Sequence, residues 1–577
     1  MAKIDKSESN IFPIPKGATI DKRNYVYVNT NSYTARAKGD NHTYSKHDKK
    51  CIGVSIDGKT MYANNAYLKM NHPEKLPVLP EKADSVSVGL HVVLKKLAED
   101  CGLADNLCDA FSEDAANIIL DLASYMLSNE NAVFQHYPIW ARRNALFSGV
   151  VRSDSYLSQF LSNEITISKI NRFKELWAKD HIGSGRVYLC YDSTNTNCQS
   201  GVALVEKGHA KDNQDLEQVN TDYVVRQEDG LPVTFKEFPG SINDMSEAEE
   251  MISFLSRISG LKEEKIKIML VCDRGYISED NVAMLDNAGI GFLLMLKSNT
   301  KIVQELMKDY GAQVKANFHN MIPGTSEYGM TVEGTLFKTD TKRWFHLLWD
   351  GVRDAVDRTN LNNQLEKKHK ELDKAIDHNT KFTSQELAVK FSWFKLKTEP
   401  AGTIKAKSRG RGKKGEEAQD ALIITGYEDD DEKINLVLNT CGVRILVSSE
   451  EMSAEEAAKA YTKRDCVEKV FRALKSSLGM DRIGMHSDEG IRSKAMVWFV
   501  ASILRSMLFL STAEIREKDK KSGTVTAITN QLEAICADKD LNTNKYERRY
   551  QLTNKQKQIF AACDIKTDDL NEVISSL

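Results

Sequence analysis

The 577-residue chain has no C-x2-C pair among its ten cysteines, no GxxxxGK[ST] loop, no HExxH and no GxSxG, and its twelve histidines do not cluster at ligand spacing. These absences remove support for a zinc-stabilised domain, a P-loop NTPase, a zinc protease and a serine hydrolase. The cysteines are scattered, several inside apolar strand-like runs, and read as reduced, buried thiols of a cytosolic protein. No apolar run is long enough to span a bilayer, and MAKIDKSESN at the N-terminus lacks the hydrophobic core of a signal peptide, so neither secretion nor a membrane span is expected. A surplus of positive charge is missing too. With 79 Lys+Arg against 82 Asp+Glu and a net charge of −3, any contact with nucleic acid must rest on local patches.

What is present is ordinary for a soluble protein: 41% apolar and 28% charged residues, over a length that suits several domains. Residues 1–80 form one basic patch, with thirteen Lys/Arg against seven Asp/Glu. Tyr25 and Tyr27 alternate as on a strand, DGK at 57–59 reads as a turn, and HPEKLPVLP closes the segment as a proline-rich linker. Interleaved aromatics and bases suit either a nucleic-acid backbone or a small module with a solvated face. From 83 to 180 the period is helical: Ser112 caps a helix that follows it, and further helices are expected over 130–148 and 166–179. Arg142 and Arg143 in WARRNALF suit DNA contact or an exposed helix face.

At 186 the period changes to strand. RVYLCYDSTNTNC carries an apolar run, Val187 to Tyr191, that ends on Asp192; VNTDYVVRQ and PVTFKEFPG continue as a meander, and Ser241 or Asn243 opens a helix to about 258. A second strand, Ile266 to Cys272, ends on Asp273 and is followed by a helix from Ser278 and a strand from Phe292 to Leu296. This order predicts a parallel β-α-β unit, with Asp192 and Asp273 at the ends of neighbouring strands. Residues 300–445 hold a charged helix near 360–378, strand-like pieces (ALIITGY, INLVLNT, VRILVSS) and the basic run KAKSRGRGKKG, which suits a solvated loop or phosphate contact. Residues 491–511 read as a strongly apolar helix interrupted by Arg492, Lys494 and Arg505, and helices follow near 524–537 and 554–563, the last opened by Thr553-x-x-Gln556.

The stretch from Tyr461 to Lys475, laid on a helix, aligns Val467, Val470, Phe471 and Leu474 in one apolar stripe and sets Glu468 between Arg464 and Arg472. By itself this is a common solvated helix. The spacing Tyr461-x2-Arg464-x3-Glu468-x6-Lys475, however, resembles the Y-(2)-R-(3)-E-(6)-K signature of the DDE transposases of insertion sequence family four, and CDRGY resembles that family's second-aspartate motif. The resemblance implies an α/β fold with an RNase H-like (retroviral-integrase-like) catalytic core interrupted by a β-rich or mixed insertion. The expected organisation is then a basic β module over 1–80, a helical domain over 81–180 for DNA binding or dimerisation, core over 181–300, insertion over 301–445, core again over 446–515 and C-terminal helices over 516–577.

It further implies that Asp192, Asp273 and Glu468 are the catalytic and metal-binding triad, and that Tyr461, Arg464 and Lys475 contact DNA near the cleaved phosphate. Carboxylates gathered within a few ångströms repel, by about 4 kcal/mol per pair at roughly 4 Å and an effective dielectric of about 20, so they call for a cation. Oxygen-only ligands select a hard metal, Mg2+ with Mn2+ as a substitute, as two ions per site. The implied protein is a bacterial cytoplasmic, nucleoid-associated transposase. It cleaves inverted-repeat ends of double-stranded DNA, joins the 3′ ends to target DNA, and works as a homodimer in the paired complex. A non-transposing nuclease on the same fold and a catalytically silent DNA-binding derivative are the rivals. Trp344, Trp349 and Trp393 suit core packing before base stacking.

Overall fold

The computed structural model describes the chain except residues 1–3, 5, 8–9, 37–42, 73–83, 131–132, 209–215, 243, 262–265, 338, 406–417, 520–522, 541–542 and 544. The proline-rich linker, the basic run after 405 and the candidate cap Asn243 therefore lie wholly or mostly outside the described residues. The chain divides into two compact units, Met1–Asp84 with Lys539–Lys545, and Ser85–Asp538 with Tyr546–Leu577.

The first unit is an antiparallel sheet of β1 (Ile11–Pro13), β2 (Thr19–Ile20), β3 (Tyr25–Arg36), β4 (Thr43–Ser55) and β5 (Thr60–Ala63), in the order β1-β5-β4-β3-β2, with helix α1 (Asn65–Asn71). Phe12, Val26, Ile52 and Met61 fill its small core. The DGK turn holds as expected, because the Asp57 carboxylate accepts the backbone N–H groups of Lys59 and Thr60.

The second unit begins with β6 (Ser85–Ser87) and the helices α2 (Gly89–Asp100), α3 (Leu103–Ala110), α4 (Glu113–Asn129), α5 (Tyr137–Ala141), α6 (Asp154–Asn163) and α7 (Ile167–His181). The Ser112 hydroxyl accepts the N–H of Ala115 and starts α4. The helix expected over 130–148 is only the short α5 and its flanking turns. Asp121, buried in α4, accepts the N–H groups of Phe147 and Ser148 and fixes an irregular segment there instead.

A nine-stranded mixed sheet forms the centre. Its strands are β7 (Arg186–Asn197), β8 (Glu206–Lys207), β9 (Glu217–Arg226), β10 (Pro232–Pro239), β11 (Lys267–Cys272), β12 (Gly291–Met295), β13 (Glu327–Thr335), β14 (Lys342–Asp350) and β18 (Val443–Ser448). They run in the order β10-β9-β7-β11-β12-β18-β14-β13, with β8 on β9. β11 is parallel to both β7 and β12, and the remaining pairs are antiparallel. Gly183 and Gly185, both with positive φ, form the turn that delivers the chain into β7. Helices α8 (Asp244–Gly260), α9 (Glu279–Asn287) and α10 (Lys301–Ala316) cover one face.

The segment read as an insertion has two parts. β13, β14 and β18 extend the central sheet, whereas α11 (Gly351–Asp377), β15 (Lys381–Phe382), α12 (Ser384–Lys390), β16 (Phe394–Lys405) and β17 (Ala418–Asp429) build a separate small core around Leu372, Phe391 and Phe394. INLVLNT, expected as a strand, is helix α13 (Asp431–Asn439), capped by Asp430. In a short apolar run, periodicity does not separate the two outcomes, and the cap decided it.

The other face of the sheet carries α14 (Ala454–Thr462), α15 (Asp465–Ser477) and α16 (Asp488–Ser511). α16 is long and apolar enough to cross a membrane by composition alone, yet it is sunk in the core, where Phe499 stacks on Phe235 at 4.6 Å and Trp498 donates to the Leu478 carbonyl. The tail adds α17 (Ala513–Lys518), α18 (Val525–Glu533), β19 (Cys536–Lys539), β20 (Tyr546–Arg548), α19 (Asn554–Ala562) and α20 (Thr567–Ser576). Residues 536 and 537, read as helical, lie in β19, and the Thr553/Gln556 capping box forms as expected.

Candidate active site

Strand parity positions the first two acids. Along β7, Val187, Leu189 and Tyr191 join the core under α8 and α9, so Cys190 and Asp192 face the opposite side. Along β11, Ile268, Leu270 and Cys272 face α8 and α9, which turns Asp273 to the same side as Asp192. Cys272 is in register with Tyr191 on the parallel neighbour, so the two aspartates lie side by side in adjacent strands. Their surroundings differ. Asp192 is not at a strand tip, because β7 continues five residues to Asn197. Asp273 is beyond the end of β11 and caps the turn Arg274–Tyr276 by accepting the Arg274 N–H at 2.7 Å.

The third acid arrives on α15. Val467, Phe471 and Leu474 anchor that helix on the sheet, each burial contributing about 1.5–3 kcal/mol, and Phe471 meets Tyr223 edge-on at 5.8 Å. The stretch from Tyr461 to Lys475 is not one helix, as the spacing suggested. α14 ends at Thr462, and the chain turns at Lys463 and Arg464 before α15 begins. That break sends Arg464 back toward the sheet. Its guanidinium donates from Nη1 to Asp192 Oδ2 at 3.0 Å and from Nη2 to Glu468 Oε1 at 2.6 Å. Tyr461, at the end of α14, donates its hydroxyl to Asp273 Oδ1 at 3.3 Å. Lys475 lies half-buried in the last turn of α15.

Electrostatics match this geometry. Burial works against the charged guanidinium of Arg464, but Tyr461 and the carboxylates of Asp192, Asp273 and Glu468 outweigh it and hold its pKa above the usual value. Burial, reinforced by Asp273, raises the Tyr461 hydroxyl, which keeps it a proton donor. Burial and then Asp192 push the Cys272 thiol well up, so it is inert.

The donor chemistry suits a hard divalent cation: three carboxylates, two of them spanned by one guanidinium that stands in for positive charge between them. Among the described residues, no three His, Cys, Asp or Glu side chains lie close enough to share one ion as placed. Asp192, Asp273 and Glu468 are residues that could hold such a cation, once Arg464 released two of them.

Two neighbours were missed in the sequence. Asp222 on β9, fully buried opposite Ser193, accepts the Tyr191 hydroxyl at 2.6 Å; an acid inside the apolar run of VNTDYVVRQ was the available signal. Arg444 on β18 sits over the Tyr461 ring at 6.0 Å, and no local pattern marked it. Trp344, Trp349 and Trp393 are each partly buried, Trp349 against Tyr328 at 5.8 Å. Arg142 and Arg143 are exposed in the turn after α5.

No curated protein matches the chain. Among solved structures, a piggyBac transposase synaptic complex with hairpin DNA aligns over 84% of this chain and 78% of its own, at 8% identity and a TM-score of 0.33, a likeness too remote to argue from. The transposase DDE domain family matches residues 183–504, more than half of the chain and the whole of the carboxylate site, and the chain belongs to that family.

Proposed function

We propose that the protein is a cut-and-paste DNA transposase of the insertion sequence family four type, with Asp192, Asp273 and Glu468 as its metal-binding triad. The observation that carries this reading is the pairing of Arg464 with Asp192 and Glu468 and of Tyr461 with Asp273, since signature positions and strand-borne acids up to 276 residues apart meet in one site. The first five long strands of the central sheet support an RNase H-like core. Numbered along the chain as β7, β9, β10, β11 and β12, they lie in the order 3-2-1-4-5, with the first three antiparallel and the last two parallel to the first.

DDE transposases use divalent metal ions, and Mg2+ is the ion this all-oxygen donor set suits best. Two such ions supply activation of the attacking hydroxyl and neutralise charge on the phosphate and leaving oxygen. The chain's residues do the rest. The three carboxylates fix the ions, Tyr461 orients Asp273, and Arg464 and Lys475 hold phosphates of the inverted-repeat end. Attack by water or by a DNA 3′-hydroxyl then forms one P–O bond and breaks another, so one site both cuts and joins, within a homodimeric paired complex.

The test incubates the protein with its element's end DNA and Mg2+, comparing wild type with Glu468→Gln for nicked, hairpin and strand-transfer products. Joined products from wild type alone establish the proposal. Cleavage without joining identifies a nuclease, and binding without cleavage identifies a silent DNA-binding derivative.

A further inference from the structure

Two cavities that share the wall residue Thr440, the smaller of them close to Asp273, are lined by cations that no part of the reading above uses. The smaller, about 50 Å3, is bounded by Arg274, Arg353 and Arg444, with no carboxylate in its wall among the described residues. It has room for a few waters or a single phosphate group. Arg274 follows Asp273 directly and is exposed, while Arg444 lies over the ring of Tyr461, whose hydroxyl reaches Asp273. This cavity therefore opens next to the carboxylate site.

The larger cavity, about 580 Å3, shares the wall residue Thr440 with the smaller one and runs between α10 and α13. Lys301, Lys308 and Lys315 recur every seven residues on α10 and line it together. The only carboxylate in its wall among the described residues is Glu305, which pairs with Lys301 at 3.5 Å. Lys315 is braced over the Trp349 ring at 5.7 Å, Arg444 pairs with Glu327, and Arg353 is near Asp357 at 3.6 Å. Six cations thus line two cavities whose described walls hold a single acid, Glu305, although Arg444 and Arg353 also have acidic partners, Glu327 and Asp357, outside those walls, in a chain whose overall charge is negative.

We infer that the path from Arg274, Arg353 and Arg444 to the lysines of α10 is a track for the phosphate backbone of DNA leading away from the carboxylate site. The inference rests on the transposase reading and adds to it the residues that carry duplex DNA past Asp273. The arginines suit fixed, bidentate phosphate contacts next to the chemistry, and the lysines suit looser charge contacts further out. Such contacts are blind to sequence and appear as counterion release.

The test measures binding of a fluorescently labelled, mixed-sequence duplex against salt concentration, for wild type, the triple variant Lys301→Gln/Lys308→Gln/Lys315→Gln, and the same three positions as arginine. The glutamine variant is expected to flatten the slope of log K against log salt by about 2–3, at about 0.9 per lost phosphate contact, and to bind roughly 10–100-fold more weakly at low salt. The arginine variant is expected to restore both, with circular dichroism unchanged throughout. Arg274→Gln alone is expected to flatten the slope by about one contact. Unchanged slopes in the glutamine variants, with wild type binding normally, overturn the track and leave the transposase reading standing. So does weaker binding at an unchanged slope, which marks a structural defect. A wild type that shows no salt-dependent binding overturns both.

Discussion

α15 and α16 are consecutive long helices on the same face of the central sheet, and they make opposite use of charge. α15 buries one stripe, Val467, Phe471 and Leu474, and leaves Glu468 and Arg472 outside it. α16 is buried almost all round, so Ser493, Ser502 and Lys494 are satisfied inside the protein: Ser493 donates to the Leu161 carbonyl, Ser502 to that of Phe499, and Lys494 to that of Ile483. Charge on the half-exposed helix is available to a ligand, whereas charge in the core is already spent on backbone carbonyls. Helix composition alone would rank α16 as the unusual element, yet the chemistry belongs to its more ordinary neighbour.

The largest effect expected from this contrast is on reaction rate. Asp192→Asn is expected to lower DNA cleavage by on the order of 10³-fold or more while leaving the circular dichroism spectrum intact, because the lost charge faces the site and not the core. A fall of only a few-fold in a cleavage assay would remove Asp192 from the triad.

Trp498→Ala should behave in the reverse sense. Its fully buried indole fills the α16 core and donates to Leu478, so denaturant unfolding should show a loss of about 3–5 kcal/mol, with the salt dependence of DNA binding unchanged in the folded fraction. A loss under about 1 kcal/mol would mean that α16 is not the packing centre described here.

Lys494 sharpens the comparison through pH. Burial lowers its pKa from 10.5 to about 8, so between those values the unfolded chain binds a proton that the folded chain has released. Stability then rises with pH across that window, by up to about 3 kcal/mol, and Lys494→Met should remove the rise. The measurement is the difference between the two melting-temperature profiles from pH 7 upward, and parallel profiles would refute the buried charge.

The smallest effect is expected at Arg464. Arg464→Gln removes the cation shared by Asp192 and Glu468, so the variant should melt lower in EDTA and gain more from added Mg2+ than wild type, by about 1–2 kcal/mol. Equal Mg2+ responses in a thermal-shift titration would show that the guanidinium does not compete with the metal.

Much of this was legible in the sequence because the relevant signals are local. Apolar runs ending on or passing through Asp192 and Asp273, the caps at Ser112, Ser278 and Thr553, and the stripe of α15 are each fixed within a few residues. Two of the stretches misread, INLVLNT and 130–148, are weakly periodic, and a side-chain cap in the first and the buried carboxylate of Asp121 in the second decided them.

By itself, the sequence determined which carboxylates and cations the chain carries, at what spacing, and which face of each strand and helix is apolar. The tertiary structure alone decided that α14 and α15 break at Lys463 and Arg464, that β18 enters the sheet between β12 and β14 and brings Arg444 to Tyr461, and that Asp222 lies beside the site. The reason is physical: periodicity and capping depend on neighbours three or four residues away, whereas strand partners and the direction of a side chain depend on which distant surfaces must be buried together.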